Sequence, residues 1–219
     1  MSFDQARRAV ISTCLELADK GYLAGTGGNV AFRIDDDHFA ITPSATDYYA
    51  MHPEDICVLR MGDLVSVAGD RKPSVELRLH ANVFKTRRDC NASIHTHQPI
   101  ASSYTLLGRA LEVRDPALRA ILGPRAEIVS YAPSGTSWLA AKLGKAVKPD
   151  IHAYLMRNHG VVCCGPTLGK TVARLEALEA ACTAFFRTEI KCLEFNFLRP
   201  SSGEALTLLH DFEEMEFAQ

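Results

Sequence analysis

Apolar and polar positions along this chain follow two different periods. Over residues 4–20, Ala6, Val10, Cys14, Leu17 and Ala18 recur at spacings close to three and four, and Gly21 follows. That pattern predicts an amphipathic helix with a glycine stop. Short strands are expected at 29–34 and 38–41, across the turn-prone Asp35-Asp36-Asp37, and a hairpin at 56–60 and 64–67 around Met61-Gly62-Asp63. Pro73-Ser74 precedes a helical pattern running toward Arg87, with Ser74 placed as its cap. Strands are expected from Ala92, at 125–129 and at 152–156, with a helix over 137–147 between the last two. A strand at 161–164 follows Asn158-His159-Gly160, and Gly165-Pro166-Thr167 opens a long Ala- and Leu-rich helix through Arg187. Repeats and linkers are lacking. The expectation is one α/β domain over residues 1–219, a central, mainly antiparallel sheet flanked by helices.

Composition narrows the functional classes. A net charge of −2 offers no basic face for a polyanion, so no nucleic-acid partner is expected. No stretch resembles a signal peptide or reaches the length of a membrane span, which predicts no membrane partner and a cytoplasmic location. The seven cysteines form no CxxC pair, as suits reduced thiols, and Cys163 and Cys164 read as strand residues.

Ser93-Ile94-His95-Thr96-His97 carries the strongest chemical signal. Side chains at i and i+2 of a strand share a face, about 7 Å apart along the backbone, so two imidazoles can converge on one ion. His159 and Glu76 are the residues that could complete the shell of a divalent metal. Glu76 would sit in the first turn of the helix capped by Ser74, where the dipole favours a carboxylate. A surface glutamate that only offsets the dipole is the alternative. Gly25-Thr26-Gly27-Gly28-Asn29 forms a second candidate, since glycines let backbone N–H groups line an anion site and Thr26 and Asn29 add donors. A tight turn explains the same residues. With the hydroxyl-rich Thr42-Pro43-Ser44-Ala45-Thr46 and Ser74, these loops could hold a phosphate through Thr26, Gly28, Asn29, Ser44 and Ser74.

The ordered set GTGGNV, ITPSATD, PSVELRLH, SIHTH and RNHG resembles the class II aldolase/adducin family, from the first helix to about Arg187. Within it the motifs look most like those of ketose-1-phosphate aldolases of the L-fuculose-1-phosphate type. The resemblance implies a homotetramer with metal sites near subunit interfaces and one divalent ion per subunit, zinc first, manganese or cobalt as alternatives. It makes His95, His97 and His159 metal ligands, and Glu76 both a ligand and the catalytic acid/base. The implied reaction is reversible retro-aldol cleavage of a ketose 1-phosphate to dihydroxyacetone phosphate and an aldehyde. Val75 and the apolar Ala132-Pro133 tilt the substrate toward a 5-deoxy- or 5-methylthio-ribulose 1-phosphate. The alternatives are a sugar-phosphate epimerase or decarboxylase on the same site, and a non-catalytic scaffold like the adducin head. The epimerases carry aspartate where this chain has Glu76, which favours cleavage.

Three departures from the family pattern matter. Val75 stands where a second serine precedes the glutamate, and Ala45 where the proline loop ends in glycine. The family's tyrosine acid, supplied by a neighbouring subunit, has no counterpart within 112–121, and Tyr131 is the substitute candidate. Tyr131 also reads as a strand-end tyrosine packing at an interface. His80 is expected on a helix surface, with support of the site as its other reading. His38, His52, His152 and His210 read as structural, and Arg87 and Arg88 as solvated charges at a helix end. The acidic tail at 212–217 suits a packed terminal helix or a flap over a neighbouring active site.

Overall fold

The computed structural model describes the backbone of residues 1–197 and the side chains of residues 1–191. The strands are β1 (Asn29–Arg33), β2 (His38–Ile41), β3 (Cys57–Arg60), β4 (Ser66–Ala68), β5 (Ala92–Thr96), β6 (Leu111–Glu112), β7 (Arg125–Val129), β8 (Ala153–Met156) and β9 (Val161–Gly165). They form one nine-stranded sheet in the order β4-β3-β2-β1-β5-β9-β8-β7-β6. Every pairing is antiparallel except β7 with β8, so the sheet is mixed and mainly antiparallel, as the strand pattern implied.

The helices are α1 (Phe3–Asp19), α2 (Leu77–Thr86), α3 (Pro99–Tyr104), α4 (Pro116–Leu122), α5 (Ser137–Ala146) and α6 (Leu168–Phe197). Ser2 caps α1 by accepting from Gln5 N, and the Gln5 side chain returns the bond to Ser2 N. Helix α2 matters most for the site. It sends Leu79 and Val83 into a cluster with α5, β8 and β9, and Ala81 and Phe84 into a second cluster with β1, β2 and β3. Burying apolar side chains of this size contributes about 1.5–3 kcal/mol each, an upper range, and locks the helix over the sheet.

Four sequence expectations need correction. Helix α2 begins at Leu77, with Glu76 as its N-cap residue and not in its first turn. Ser74 spends its hydroxyl accepting from Glu76 N, in the turn before the helix. His80 is fully buried against the sheet, not on the surface. Arg87 is also buried: it pairs with Asp89 and donates to the carbonyls of Lys148 and Ile151, so it ties the end of α2 to the loop before β8. Arg88 is exposed. The periodic reading did not resolve α3, α4 and β6, which are too short to show a period.

Residues 1–182 form one compact unit, and the described residues from Thr183 onward belong to a second. All the candidate site residues lie in the first. His210 and the acidic tail at 212–217 lie outside the described residues. Cys163 and Cys164 are buried in β9, and the six cysteines with described side chains are free thiols. Among the described residues no helix is long and apolar enough to cross a membrane.

Candidate metal centre and active site

Strand β5 stands at the middle of the sheet, between β1 and β9. Its register sets His95 opposite Asn29 on one side and Val162 on the other. His97 follows the strand end on the same face. His159 arrives from the turn between β8 and β9, where Asn158 takes the left-handed conformation at φ 58° and His159 N donates to Met156 O. The ring centroids lie 4.8, 4.8 and 5.2 Å apart, and one ligand nitrogen from each of the three falls within 4.8 Å of the others. Gly160 makes room for this. A Cβ there would come within 2.4 Å of His97 Cδ2 and 2.5 Å of Thr96 O.

Glu76 closes the group. Its Oε2 lies 3.3 Å from His95 Nε2 and its Oε1 3.5 Å from His159 Nε2. Asn29 Nδ2 donates to Oε2 at 2.9 Å and Ser134 Oγ donates to Oε1 at 2.8 Å. Burial disfavours the Glu76 anion, but the His95 ring beside it and these two hydrogen bonds outweigh that and hold the carboxyl below the ordinary carboxylate range. Burial pushes His95 the other way, well below the ordinary imidazole range, to about 3, and lowers His97 and His159 as well. The site therefore sets three neutral imidazoles around one carboxylate.

A divalent cation fits this donor set. His95 Nδ1 donates to Val161 O at 2.8 Å, which leaves the Nε2 lone pair bare and pointing into the cluster. His95 Nε2, which faces Glu76, is buried without a hydrogen-bond partner among the described residues. Buried nitrogens are rarely left so unless an ion or another ligand satisfies them. Neutral imidazoles and an ionised carboxylate are also the protonation states that metal binding requires.

The phosphate candidates gather on three stitched loops. Ser44 N donates to Lys72 O and Ser74 N to Thr42 O, so the loop at 42–46 lies against the stretch that leads to Glu76. The buried Tyr48 hydroxyl lies 3.0 and 2.8 Å from the carbonyls of Gly27 and Gly28, tying the glycine loop to the same segment. Gly28 must be glycine, at φ 94° with Leu23 and the His95 carbonyl where a Cβ would go. Thr26 is exposed, Ser44 half-buried and Ser74 buried. Asn29 is turned inward, with its amide bonded to Glu76 and to His80.

Tyr131 stands 51% exposed on the loop after β7, with its carbonyl accepting from Lys142. The same loop delivers Ser134, not Tyr131, to Glu76. Sequence reasoning missed Ser134, and no periodicity marks it; its only signal is a hydroxyl in the turn-prone Pro133-Ser134-Gly135. Val75 is 65% exposed beside Glu76 and packs toward Gly135. Ala45 holds φ 50°, the left-handed conformation that a glycine would adopt without strain.

Residues 8–186 match the family described as Class II Aldolase and Adducin N-terminal domain. A 5-deoxy-D-ribulose 1-phosphate aldolase from Bacillus thuringiensis serovar kurstaki is 31% identical over 193 residues, 86% of this chain and 88% of that protein. An L-fuculose phosphate aldolase from Escherichia coli is 28% identical over 194 residues, 86% of each chain. Among solved structures, an L-fuculose 1-phosphate aldolase superposes with a TM-score of 0.76 at 27% identity, over 95% of this chain and 96% of the other.

Proposed function

The chain belongs to the class II aldolase and adducin family, and on that premise we propose that it is a metal-dependent aldehyde-lyase. It cleaves a ketose 1-phosphate reversibly to dihydroxyacetone phosphate and an aldehyde. One observation carries the reading: a buried carboxylate, held ionised by Asn29 and Ser134, faces three neutral imidazoles. A non-catalytic scaffold has no use for such a cluster, whose desolvation costs stability unless a ligand satisfies it.

His95, His97, His159 and Glu76 would hold the ion. Zinc suits three imidazole nitrogens and a carboxylate oxygen, and manganese or cobalt accept the same set. When bound, the ion supplies Lewis acidity to the ketose carbonyl and stabilises the negative charge left as the adjacent carbon–carbon bond breaks. Glu76 moves the proton at the carbon that gains or loses that bond. In the condensation direction it takes a proton from the hydroxymethyl carbon of dihydroxyacetone phosphate, and in cleavage it returns one. Tyr131 is our candidate for the group exchanging a proton with the aldehyde oxygen. Thr26, Gly28, Asn29, Ser44 and Ser74 form the phosphate pocket; the inward turn of Asn29 leaves most of that work to the others.

The exposed Val75 beside Glu76 replaces a hydroxyl with an apolar surface, which favours a deoxy or thioether tail such as that of 5-deoxy- or 5-methylthio-ribulose 1-phosphate. A methylene-sized difference in such a pocket is worth about 1–3 kcal/mol, so related aldehydes are expected as weaker substrates. We further propose that the 219 residues act as one domain, assembled as a homotetramer in the cytoplasm. The exposed Tyr131, Trp138, Leu106 and Leu107 supply apolar contact surface, and the buried free thiols suit a reducing compartment. The test is consumption of dihydroxyacetone phosphate by metal-loaded protein with acetaldehyde, lactaldehyde, glycolaldehyde and methylthioacetaldehyde. Consumption is expected, fastest with an apolar aldehyde. Bound metal without consumption of any would move the assignment to a decarboxylase or epimerase.

A further inference from the structure

A buried line of polar side chains runs from Glu76 into the protein. Asn29 Nδ2 donates to Glu76 Oε2 at 2.9 Å; Asn29 Oδ1 lies 2.5 Å from His80 Nε2; His80 Nδ1 lies 2.8 Å from Ser93 Oγ. All four residues are at least nine-tenths buried. Their backbones come from separate elements: Asn29 from β1, His80 from α2 and Ser93 from β5.

We propose that His80 is a positioning residue, whose Nε2–H holds the Asn29 amide in the one orientation that presents an N–H to Glu76. The inference rests on Glu76 being the acid/base group. An amide rotated by half a turn would set its carbonyl oxygen against the carboxylate, and acceptor would face acceptor. A donor at Asn29 Oδ1 adds to that preference from the other end of the amide, and His80 Nε2 is the group in place. For Nε2 to carry the hydrogen in a neutral ring, Nδ1 must accept from the Ser93 hydroxyl 2.8 Å away, in preference to donating to the Ser93 backbone. Donation then runs one way, from Ser93 to His80 to Asn29 to Glu76. Burial keeps the His80 ring neutral, pushed down to about 4.

The tests are His80→Leu, which removes the donor, and His80→Gln, whose amide N–H can replace Nε2–H. In metal-loaded protein, His80→Leu is expected to lower kcat about 10- to 100-fold with KM and bound metal unchanged, the usual cost of losing a supporting hydrogen bond. His80→Gln should recover most of that loss. Equal defects in both variants, or a loss of metal or KM in step with kcat, would reduce His80 to a packing residue and overturn the proposal. Should His80→Leu fail to fold, Ser93→Ala removes one hydroxyl and is expected to lower kcat in the same direction by a smaller factor. Nitrogen-15 NMR of the His80 ring in the zinc-loaded wild type tests the arrangement without turnover, and so stands apart from the aldolase assignment. A protonated Nε2 with a bare Nδ1 is expected; the opposite tautomer or a cationic ring would contradict it.

Discussion

His95 and Tyr131 are both candidates for the same chemistry, yet the fold treats them in opposite ways. His95 is buried on the central strand, flanked on both sides by paired strands, and its ring is oriented by the Val161 carbonyl. Tyr131 stands half in solvent on a loop, held at its carbonyl by the half-buried Lys142. The difference separates two jobs. Ligand geometry must be kept to fractions of an ångström, and a sheet strand with a fixed ring keeps it. Rim residues meet the variable end of the substrate, where loop positions tolerate change.

The largest expected effect tests the sheet side of this contrast. His95→Ala should leave the purified protein without its metal, by elemental analysis, and lower turnover by at least about 10³-fold, as loss of the ion's stabilisation of charge implies. Full metal content in that variant would mean that the oriented ring is not part of the centre.

Acid stability probes the same buried region. An ordinary imidazole binds a proton near pH 6.5, but folded His80 does so only near 4. Between those values the unfolded chain binds more protons than the folded one, so stability falls as pH drops from about 6.5 toward 4. For His80 the full loss is about 3 kcal/mol. Denaturant midpoints measured from pH 7 to pH 4.5 should fall, and fall less steeply in His80→Gln, which has no proton to bind. Identical slopes would show that other groups govern the acid response.

The rim should respond more weakly. Tyr131→Phe is expected to slow cleavage about 10²-fold, the low end for loss of an acid/base partner, with metal content unchanged. An unchanged rate would pass the aldehyde-oxygen proton to another group. A metal loss would erase the distinction between centre and rim. Smallest of all, Ala45→Gly relieves the φ 50° strain while adding freedom to the unfolded chain. The expected gain is about 0.5–1 kcal/mol, read as a small rise in Tm.

The same contrast explains what was legible in the sequence. His95 and His97 could be placed on one face because strand periodicity is two, and His159 because Asn-His-Gly marks a tight turn. Glu76 was found, but its helix was started two residues early, since a serine before a helical pattern reads as a cap whether it closes the helix or the turn before it. Leu77, His80, Ala81 and Phe84 share the i, i+3, i+4, i+7 stripe of α2, and that stripe was the available sign that His80 faces inward. A lone polar histidine within the stripe obscured it. Ser134 carried no such sign: irregular backbone brings it to Glu76, and only tertiary packing selects the hydroxyl that arrives.

The most direct test of the account is proton exchange at dihydroxyacetone phosphate alone. Metal-loaded protein in deuterium oxide should wash out one of the two hydrogens on the hydroxymethyl carbon, seen by proton NMR with no aldehyde added. Glu76→Gln should retain its metal and slow that exchange by about 10²–10⁴-fold, the range for a general base. No exchange in the metal-loaded wild type, or exchange at wild-type rate in Glu76→Gln, would contradict the claim that Glu76 moves this proton.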